Sequence, residues 1–158
     1  MTTAFMFPGQ GSQAVGMGKS LSGTFASARA VFEEVDEALG QKLSTLMWEG
    51  PEADLTLTEN AQPALMAVSM AVIRVLEAEH GITVANTAAF VAGHSLGEYS
   101  ALAAAGTFSL GDAARLLKLR GQAMQGATPL GSGAMAALLG LDFATAAAAA
   151  AEAAQGDV

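Results

Sequence analysis

The sequence contains no cysteine among its 158 residues, which excludes disulfide bonds, thiolate zinc sites and a cysteine nucleophile. Charged residues make up only 14% of the chain, and seven Lys and Arg face fifteen Asp and Glu. A nucleic-acid-binding protein needs a basic surface that follows the phosphates, so this balance argues against that class. The hydrophobic content of 52% is ample for the core of a single domain.

The sequence also shows no signal-peptide pattern, and it predicts no membrane-spanning segment. Its first residues, MTTAFMFPGQ, have neither the basic start nor the long apolar stretch of a secretory signal. The longest apolar stretch, Ala64 to Leu76, contains Arg74 and is shorter than the roughly 20 residues that cross a bilayer. We therefore expect a soluble, cytoplasmic protein that binds neither membranes nor nucleic acid.

The hydrophobic patterns that are present predict mixed strands and helices, and hence an α/β fold. Strands are predicted over residues 3–7, 88–92 and 131–141, the last entered through a Gly-Ser-Gly hinge. One helix is predicted from Thr24 to a stop at Gly40, a short one over KLSTLMWE, and a third with Pro63 in its first turn and Gly81 as its cap. Three more are predicted: one that follows the second strand and ends at about Ala105, one that begins with a Ser109–Asp112 capping box, and one over ATAAAAAAEAA.

A serine lies between two glycines where the second predicted strand meets a helix, in the segment Gly93-His94-Ser95-Leu96-Gly97. This spacing is typical of a nucleophile elbow, in which glycines allow strand and helix to approach closely while the serine hydroxyl projects outward. The N–H of Leu96 would then point toward a developing oxyanion. The alternative is an ordinary glycine-rich turn between a strand and a helix.

A serine nucleophile needs a base, and the chain offers no convincing one. His94 is adjacent to Ser95, and neighbouring side chains diverge on a tight turn. His80 is predicted in the last turn of a helix, where an imidazole favours the helix dipole without any chemistry. A Ser–Lys arrangement would require one of three lysines, none with a supporting sequence context: Lys19, Lys42 and Lys118.

The loop after the first predicted strand, FPGQGSQ over residues 7–13, is rich in glycine. It is not a dinucleotide fingerprint, because the third glycine of the Gly-x-Gly-x-x-Gly pattern is absent. If this strand lies beside the elbow strand, the loop could supply a second backbone N–H to an oxyanion hole. A plain turn is the alternative.

Arg120 is predicted on the apolar side of its helix, with Ala113, Leu116, Leu117, Ala123 and Met124 as neighbours. A guanidinium among apolar residues is costly unless a carboxylate or hydrogen bonds compensate its charge. Three interpretations remain open: the side chain reaches the surface, it pairs with an internal carboxylate such as Glu98, or it clamps an acidic substrate.

Five segments in series resemble the bacterial malonyl-CoA:acyl-carrier-protein transacylases, which are stand-alone relatives of the acyltransferase domains in fatty-acid and polyketide synthases. They are FPGQGSQAVGMG, TENAQPAL, GHSLGEYSALAAAG, RLLKLRGQAMQ and GSGAMAALLGL. The resemblance implies that residues 1–127 form the N-terminal part of an α/β-hydrolase-like larger subdomain. Residues 128–158 would then hold the hinge and the first strand and helix of a small ferredoxin-like subdomain.

The resemblance also implies an activity and assigns residues to it. Ser95 would attack malonyl-CoA and form a malonyl-serine ester, and the phosphopantetheine thiol of acyl carrier protein would then take the malonyl group from the serine. The implied oxyanion donors are the backbone N–H groups of Gln10 and Leu96. Arg120 would pair with the malonyl carboxylate, while Gln62 and His94 would line the substrate site. No metal and no resident cofactor are implied, since the partner protein carries the phosphopantetheine.

One essential part of the implied site is missing from the chain. In this family the base is a histidine well downstream, positioned by a backbone carbonyl further on, and neither region occurs before Val158. We therefore expect the chain to be the N-terminal half of the enzyme, a poor catalyst without its C-terminal half. A non-catalytic fragment or binding module is the alternative function, and a generic serine esterase is a third; Arg120 and the GQGSQ loop argue against the esterase.

Overall fold

A computed structural model of the chain describes residues 2–127 and 138–154. The chain divides into two compact units, Met1–Ala127 and Thr128–Val158. Among the described residues, the first unit contains two strands and eight helices, and the second contributes one helix. The assignment of these units to an α/β-hydrolase-like and a ferredoxin-like subdomain stays a prediction.

The elements follow one another in this order: β1 (Ala4–Phe7), α1 (Lys19–Thr24), α2 (Ala26–Leu39), α3 (Leu43–Glu49), α4 (Glu52–Thr56), α5 (Thr58–His80), α6 (Val84–Thr87), β2 (Phe90–Gly93), α7 (Gly97–Ala104), α8 (Leu110–Ala127) and α9 (Phe143–Ala154). The described part is thus mixed α/β and mostly helical. This confirms the predicted α/β class.

Strands β1 and β2 pair in parallel, with Phe7 opposite Gly93. This pairing confirms that the first strand lies beside the elbow strand. One face of the sheet packs on the helices through Phe7, Ile73 and Ala101. On the other face Met6 is 82% exposed and Phe90 65% exposed, so β1 is buried on one side only. The interpretation of residues 3–7 as a buried strand therefore holds for a single face.

Helix α5 forms the centre of the main core, as its apolar sequence predicts. It packs against α2 and α8, and the buried cluster includes Phe32, Met66, Ala67 and Leu117. By length and composition α5 could cross a membrane, but 61% of its most apolar window is buried inside the protein. This burial is what a core helix requires.

Several predicted helix signals are confirmed by the backbone. Gly40 and Gly81 end α2 and α5 with φ of 59° and 64°, the left-handed conformation that glycine adopts freely. At the start of α8, the Asp112 backbone N–H donates to Ser109 Oγ at 3.1 Å, as the capping-box pattern predicts. The Ala-rich segment forms α9, also as predicted.

The start of α5 differs from the prediction. The helix begins at Thr58, so Pro63 lies inside it, in the second turn and not in the first. The first turn of α5 is stabilised by tertiary contacts, because Oδ1 of buried Asn60 accepts from Gln41 Nε2 at 3.1 Å and from Lys118 Nζ at 2.9 Å. Local sequence signals do not register a contact of this kind.

The third predicted strand, over 131–141, and its hinge at Gly131–Gly133 fall largely outside the described residues. Its described end, residues 138–141, is not in a strand. A strand prediction for these four residues is therefore wrong, while residues 131–137 stay untested.

Asp36 is a buried carboxylate with a structural role in the core. It is only 7% exposed, and it accepts hydrogen bonds from the Ser44 backbone N–H at 2.9 Å and from Ser44 Oγ at 2.7 Å. These contacts join the end of α2 to the start of α3. They also satisfy an otherwise free N–H at the beginning of α3.

We expect Asp36→Ala to lower the free energy of unfolding by about 2–3 kcal/mol, because it leaves two buried donors of Ser44 without their charged acceptor. Urea unfolding followed by circular dichroism measures the change. Glu33→Ala, an exposed change on the same helix, is the control and should leave the free energy of unfolding nearly unchanged. Equal stability of the two variants would contradict this account of Asp36.

Candidate active site

The segment that joins β2 to α7 has the backbone of a nucleophile elbow. Ser95 has φ of 56°, the only positive φ outside glycine among the described residues. A side chain in this left-handed region costs energy, and such strain is characteristic of functional turns. The serine predicted from the sequence is therefore held in the conformation that an elbow demands.

The two glycines of the elbow are required by the close approach of three backbone segments. A Cβ on Gly93 would overlap the backbone of Gly97 and Glu98. A Cβ on Gly97 would overlap the carbonyl oxygen of Phe7 and lie 2.8 Å from that of Pro8. Only glycine fits at either position, so strand β1 and the start of α7 are in direct backbone contact.

The hydroxyl of Ser95 contacts the guanidinium of Arg120. Arg120 Nη2 donates to Ser95 Oγ at 3.1 Å, and Nη1 donates to Gln62 Oε1 at 2.6 Å. The guanidinium carbon also lies 5.8 Å from the ring centroid of Tyr99, within cation–π range. The fold thus brings together three predicted site residues that are far apart in sequence: Ser95, Arg120 and Gln62.

Gln62 is fully buried and directs its amide toward α8. Its oxygen accepts from Arg120, and its Nε2 lies 3.3 Å from Met124 Sδ. The sequence suggested Glu98 as an internal carboxylate for Arg120, but Glu98 is exposed and Gln62 is the observed partner. That alternative is therefore wrong, and among the described residues the arginine has neutral partners only.

The apolar surroundings predicted for Arg120 are only partly buried. Ala113 and Leu117 are in the core, whereas Leu116 is 38% exposed and Met124 37% exposed. Ala123 is exposed as well. Arg120 itself is half-buried, where the C-terminal half of α8 approaches the first turn of α5.

The glycine-rich loop after β1 lies against the elbow. A Cβ on Gly9 would overlap Nδ1 of His94, and the His94 backbone N–H donates to the Phe7 carbonyl at 3.1 Å. Gln10 follows in the same loop and donates from Nε2 to Thr58 Oγ1 at 3.3 Å. Within residues 2–127 and 138–154, the backbone N–H groups of Gln10 and Leu96 have no acceptor.

The structure places both histidines away from the Ser95 hydroxyl. The imidazole of His94 packs on Gly9, and Ser95 Oγ is bonded to Arg120 instead. His80 is the last residue of α5 and is exposed next to Gly81, as predicted. In the described part of the chain, no histidine donates to or accepts from Ser95.

Sequence reasoning missed two residues that contact the predicted site. Tyr99 stacks near the guanidinium of Arg120, and Met124 contacts the amide of Gln62. Met124 lies four residues after Arg120 on α8, so helical spacing from Arg120 is the signal that identifies it. Tyr99 lies in the first turn of α7, just after the elbow that holds Ser95.

Comparisons with known proteins agree with this arrangement. Residues 4–155 match the family model of the acyl transferase domain. The malonyl CoA-acyl carrier protein transacylase of Bacillus subtilis strain 168 is 54% identical over 139 residues, which cover 88% of this chain and 42% of that protein. The protein of the same name from Escherichia coli K12 is 47% identical over 155 residues, covering 98% of this chain and 49% of its own length.

Solved structures are similar over nearly the whole chain. The acyl-carrier-protein-S-malonyltransferase of Bartonella henselae matches with a TM-score of 0.93 at 62% identity, covering 99% of this chain and 49% of that one. A type II PKS acyl-carrier protein in complex with its malonyl-transacylase gives a TM-score of 0.89 at 44% identity, with 99% and 49% covered. The chain spans about half the length of the relatives it matches.

We expect Gly97→Ala to lower the free energy of unfolding by about 3 kcal/mol, since overpacking against rigid backbone has no flexible side chain to absorb it. Urea unfolding measures the loss. Gly23→Ala is the matched control, because a Cβ there has open space. It should leave the protein unchanged or slightly more stable. Equal stability of the two variants would show that the elbow has room for a side chain.

Proposed function

We propose, from the premise that this chain belongs to the acyl transferase domain family, that it carries the nucleophile and the acyl-selecting residues of a malonyl-CoA:acyl-carrier-protein transacylase. The observation that carries this proposal is the 3.1 Å contact between Arg120 Nη2 and Ser95 Oγ. It sets a cation beside a strained serine elbow. An acyl group with a terminal carboxylate fits such a site, and its thioester carbonyl would then lie near the serine.

In the first half-reaction, Ser95 Oγ attacks the thioester carbonyl of malonyl-CoA and loses its proton to a base. The tetrahedral intermediate collapses, the C–S bond breaks, and coenzyme A leaves as the thiol once it is protonated. In the second, the phosphopantetheine thiol of acyl carrier protein attacks the malonyl-serine ester. The C–O bond to Ser95 breaks, and the serine regains its proton.

The base is the histidine that the family resemblance implies beyond Val158, in the other half of the complete enzyme. Support for a second half comes from the length of the relatives, of which this chain covers 42% and 49%. The same half would complete both subdomains. The described residues by themselves hold a nucleophile without a proton acceptor, and loss of the acceptor in a serine triad reduces the rate by several orders of magnitude.

The negative charge of the tetrahedral intermediate would be stabilised by two backbone N–H groups, those of Leu96 and Gln10. Two features support this role. Both N–H groups lack an acceptor among the described residues, and the loop that holds Gln10 packs on the elbow through Gly9. Leu96 also caps the N-terminus of α7, where the helix dipole favours an anion.

Selectivity for malonyl would come from Arg120. Its guanidinium has two N–H groups aimed at neutral oxygens, those of Ser95 and Gln62, and a carboxylate is a stronger acceptor than either. A malonyl carboxylate would therefore displace the bond to Ser95 and free the hydroxyl for attack. Gln62 would hold the arginine in place through its hydrogen bond with Nη1. His94 would line the site beside the glycine-rich loop after β1.

Malonyl-CoA and acyl carrier protein are the implied partners, and this proposal includes a cytoplasmic location. The phosphopantetheine belongs to the carrier, so the reaction needs no cofactor bound to this chain. Acyl transfer by serine also requires no metal.

We expect Ser95→Ala in the complete enzyme to abolish covalent labelling by radioactive malonyl-CoA, because no other group occupies the elbow. Intact-mass spectrometry of the acylated protein measures the label, and peptide mapping locates it. Ser12→Ala, a change in the exposed loop, is the control and should keep full labelling. Label that persists in Ser95→Ala would refute the proposed nucleophile.

We expect Arg120→Ala to reduce kcat/KM for malonyl-CoA about 100-fold, the cost of two charge-assisted hydrogen bonds to a carboxylate. Acetyl-CoA carries no carboxylate, so its much slower transfer should change little. Steady-state transfer to acyl carrier protein measures both. Arg115→Ala, on the exposed side of the same helix, is the matched control. Equal losses for the two acyl groups would refute a carboxylate clamp.

A further inference from the structure

The contact between the first turn of α5 and the C-terminal half of α8 lies directly beside Arg120. Gly121, the next residue of α8, is buried against the backbone of Glu59. A Cβ at this position would overlap Glu59 Cα and would lie 2.7 Å from the Thr58 carbonyl oxygen and 2.8 Å from the Glu59 nitrogen. All three atoms are backbone, so no side-chain rotation could make room.

A polar network reinforces the same contact. Lys118 Nζ lies 3.0 Å from Glu59 Oε2 and donates to Asn60 Oδ1 at 2.9 Å. Gln122 Nε2 donates to Glu59 Oε2 at 3.2 Å. The hydrogen bond from Lys118, and then that from Gln122, lowers the pKa of the Glu59 carboxyl below its ordinary value. Both charged side chains are about three-quarters covered, at 21% and 27% exposure.

The two helices that meet here also hold the two ends of the Arg120–Gln62 hydrogen bond. Gln62 lies three residues after Glu59 on α5, and Arg120 precedes Gly121 on α8. The 2.6 Å bond between Arg120 Nη1 and Gln62 Oε1 therefore depends on the separation of the helices at Gly121. Ser95 lies on a different element, the elbow between β2 and α7.

We propose that Gly121 and the Lys118–Glu59 pair are positioning residues, which set the helix separation that holds the Arg120 guanidinium over Ser95. They act through Arg120 and do not touch the acyl group. This inference rests on the proposed function, because it assigns these residues to malonyl selectivity. It predicts that loosening the contact damages carboxylate recognition while the acyl transfer chemistry at Ser95 survives.

The size of the effect follows from the geometry. A Cβ that must clear backbone atoms forces the helices apart by about an ångström, which exceeds the tolerance of a good hydrogen bond. A displacement of this size in a substrate-positioning group can cost about 100-fold in rate. The backbone contacts at Gly93 and Gly97 confine the elbow and involve neither α5 nor α8, so we expect the serine to stay in place.

The test compares Gly121→Ala with Gly126→Ala in the complete enzyme. Gly126 lies on the same helix, and a Cβ there meets nothing within 4 Å. The rates of Ser95 acylation by malonyl-CoA and by acetyl-CoA are measured for each variant. In Gly121→Ala we expect the malonyl rate constant kcat/KM to fall by about 100-fold and the acetyl value by less than about threefold, with no change in the control.

A second pair of variants tests the polar network without altering the backbone contact. Lys118→Met removes the charge but retains the length of the side chain, and Lys118→Arg restores a cation that can reach Glu59. We expect a malonyl-specific loss of roughly tenfold in the first, the value of one charge-assisted hydrogen bond, and recovery in the second. If Gly121→Ala does not fold, as judged by thermal unfolding, this pair decides the question.

The outcomes separate this inference from the function on which it rests. A folded Gly121→Ala variant that loses both acyl groups equally, or neither, would overturn the positioning role. A Lys118→Met variant without a malonyl-specific loss would also count against it. If the wild-type enzyme takes no malonyl group on Ser95, the proposed function itself fails, whatever the variants do.

Discussion

The rest of the site depends on the close approach of three backbone segments at the elbow. The end of β2, the start of α7 and the end of β1 are so near one another that neither Gly93 nor Gly97 could carry a Cβ. With both flanking residues confined, the chain turns through a left-handed conformation at Ser95, with φ of 56°. This turn separates neighbouring side chains and directs the serine hydroxyl toward α8. The strain is tolerated because the core around α5 and the pairing of the strands hold both ends of the turn.

The partners of Arg120 determine whether its charge is available to a ligand. Gln62 and Ser95 each accept a hydrogen bond from its guanidinium, and the ring of Tyr99 lies within cation–π range. Within the described residues, none of these partners neutralises the charge. A pair with Glu98 would have cancelled the cation and left nothing for a substrate. A hydrogen-bonded but uncompensated guanidinium can bind a carboxylate, as the proposed selectivity for malonyl requires.

The Ser95 hydroxyl and the Arg120 guanidinium belong to different parts of the fold. Ser95 belongs to the sheet and its elbow, whereas Arg120 belongs to the helix pair α5–α8, whose spacing is set at Gly121. The polar contact between the two parts is the 3.1 Å bond from Arg120 to Ser95, and Ile73 of α5 also packs on Phe7 and Ala101. In the proposed function, acyl transfer at Ser95 and acyl selectivity at Arg120 would therefore depend on different glycine contacts, those of Gly93 and Gly97 and that of Gly121.

Local patterns determined much of this protein: the helix boundaries at Gly40 and Gly81, the capping of α8 by Ser109, and the serine elbow itself. These features depend on residues close in sequence, where glycine torsions and capping side chains act directly. Only the tertiary structure decided which residue faces Arg120 and that the helix α5 begins before Pro63. Those outcomes depend on side chains that are tens of residues apart, such as Gln62 and Arg120, and no local periodicity encodes the contact between them.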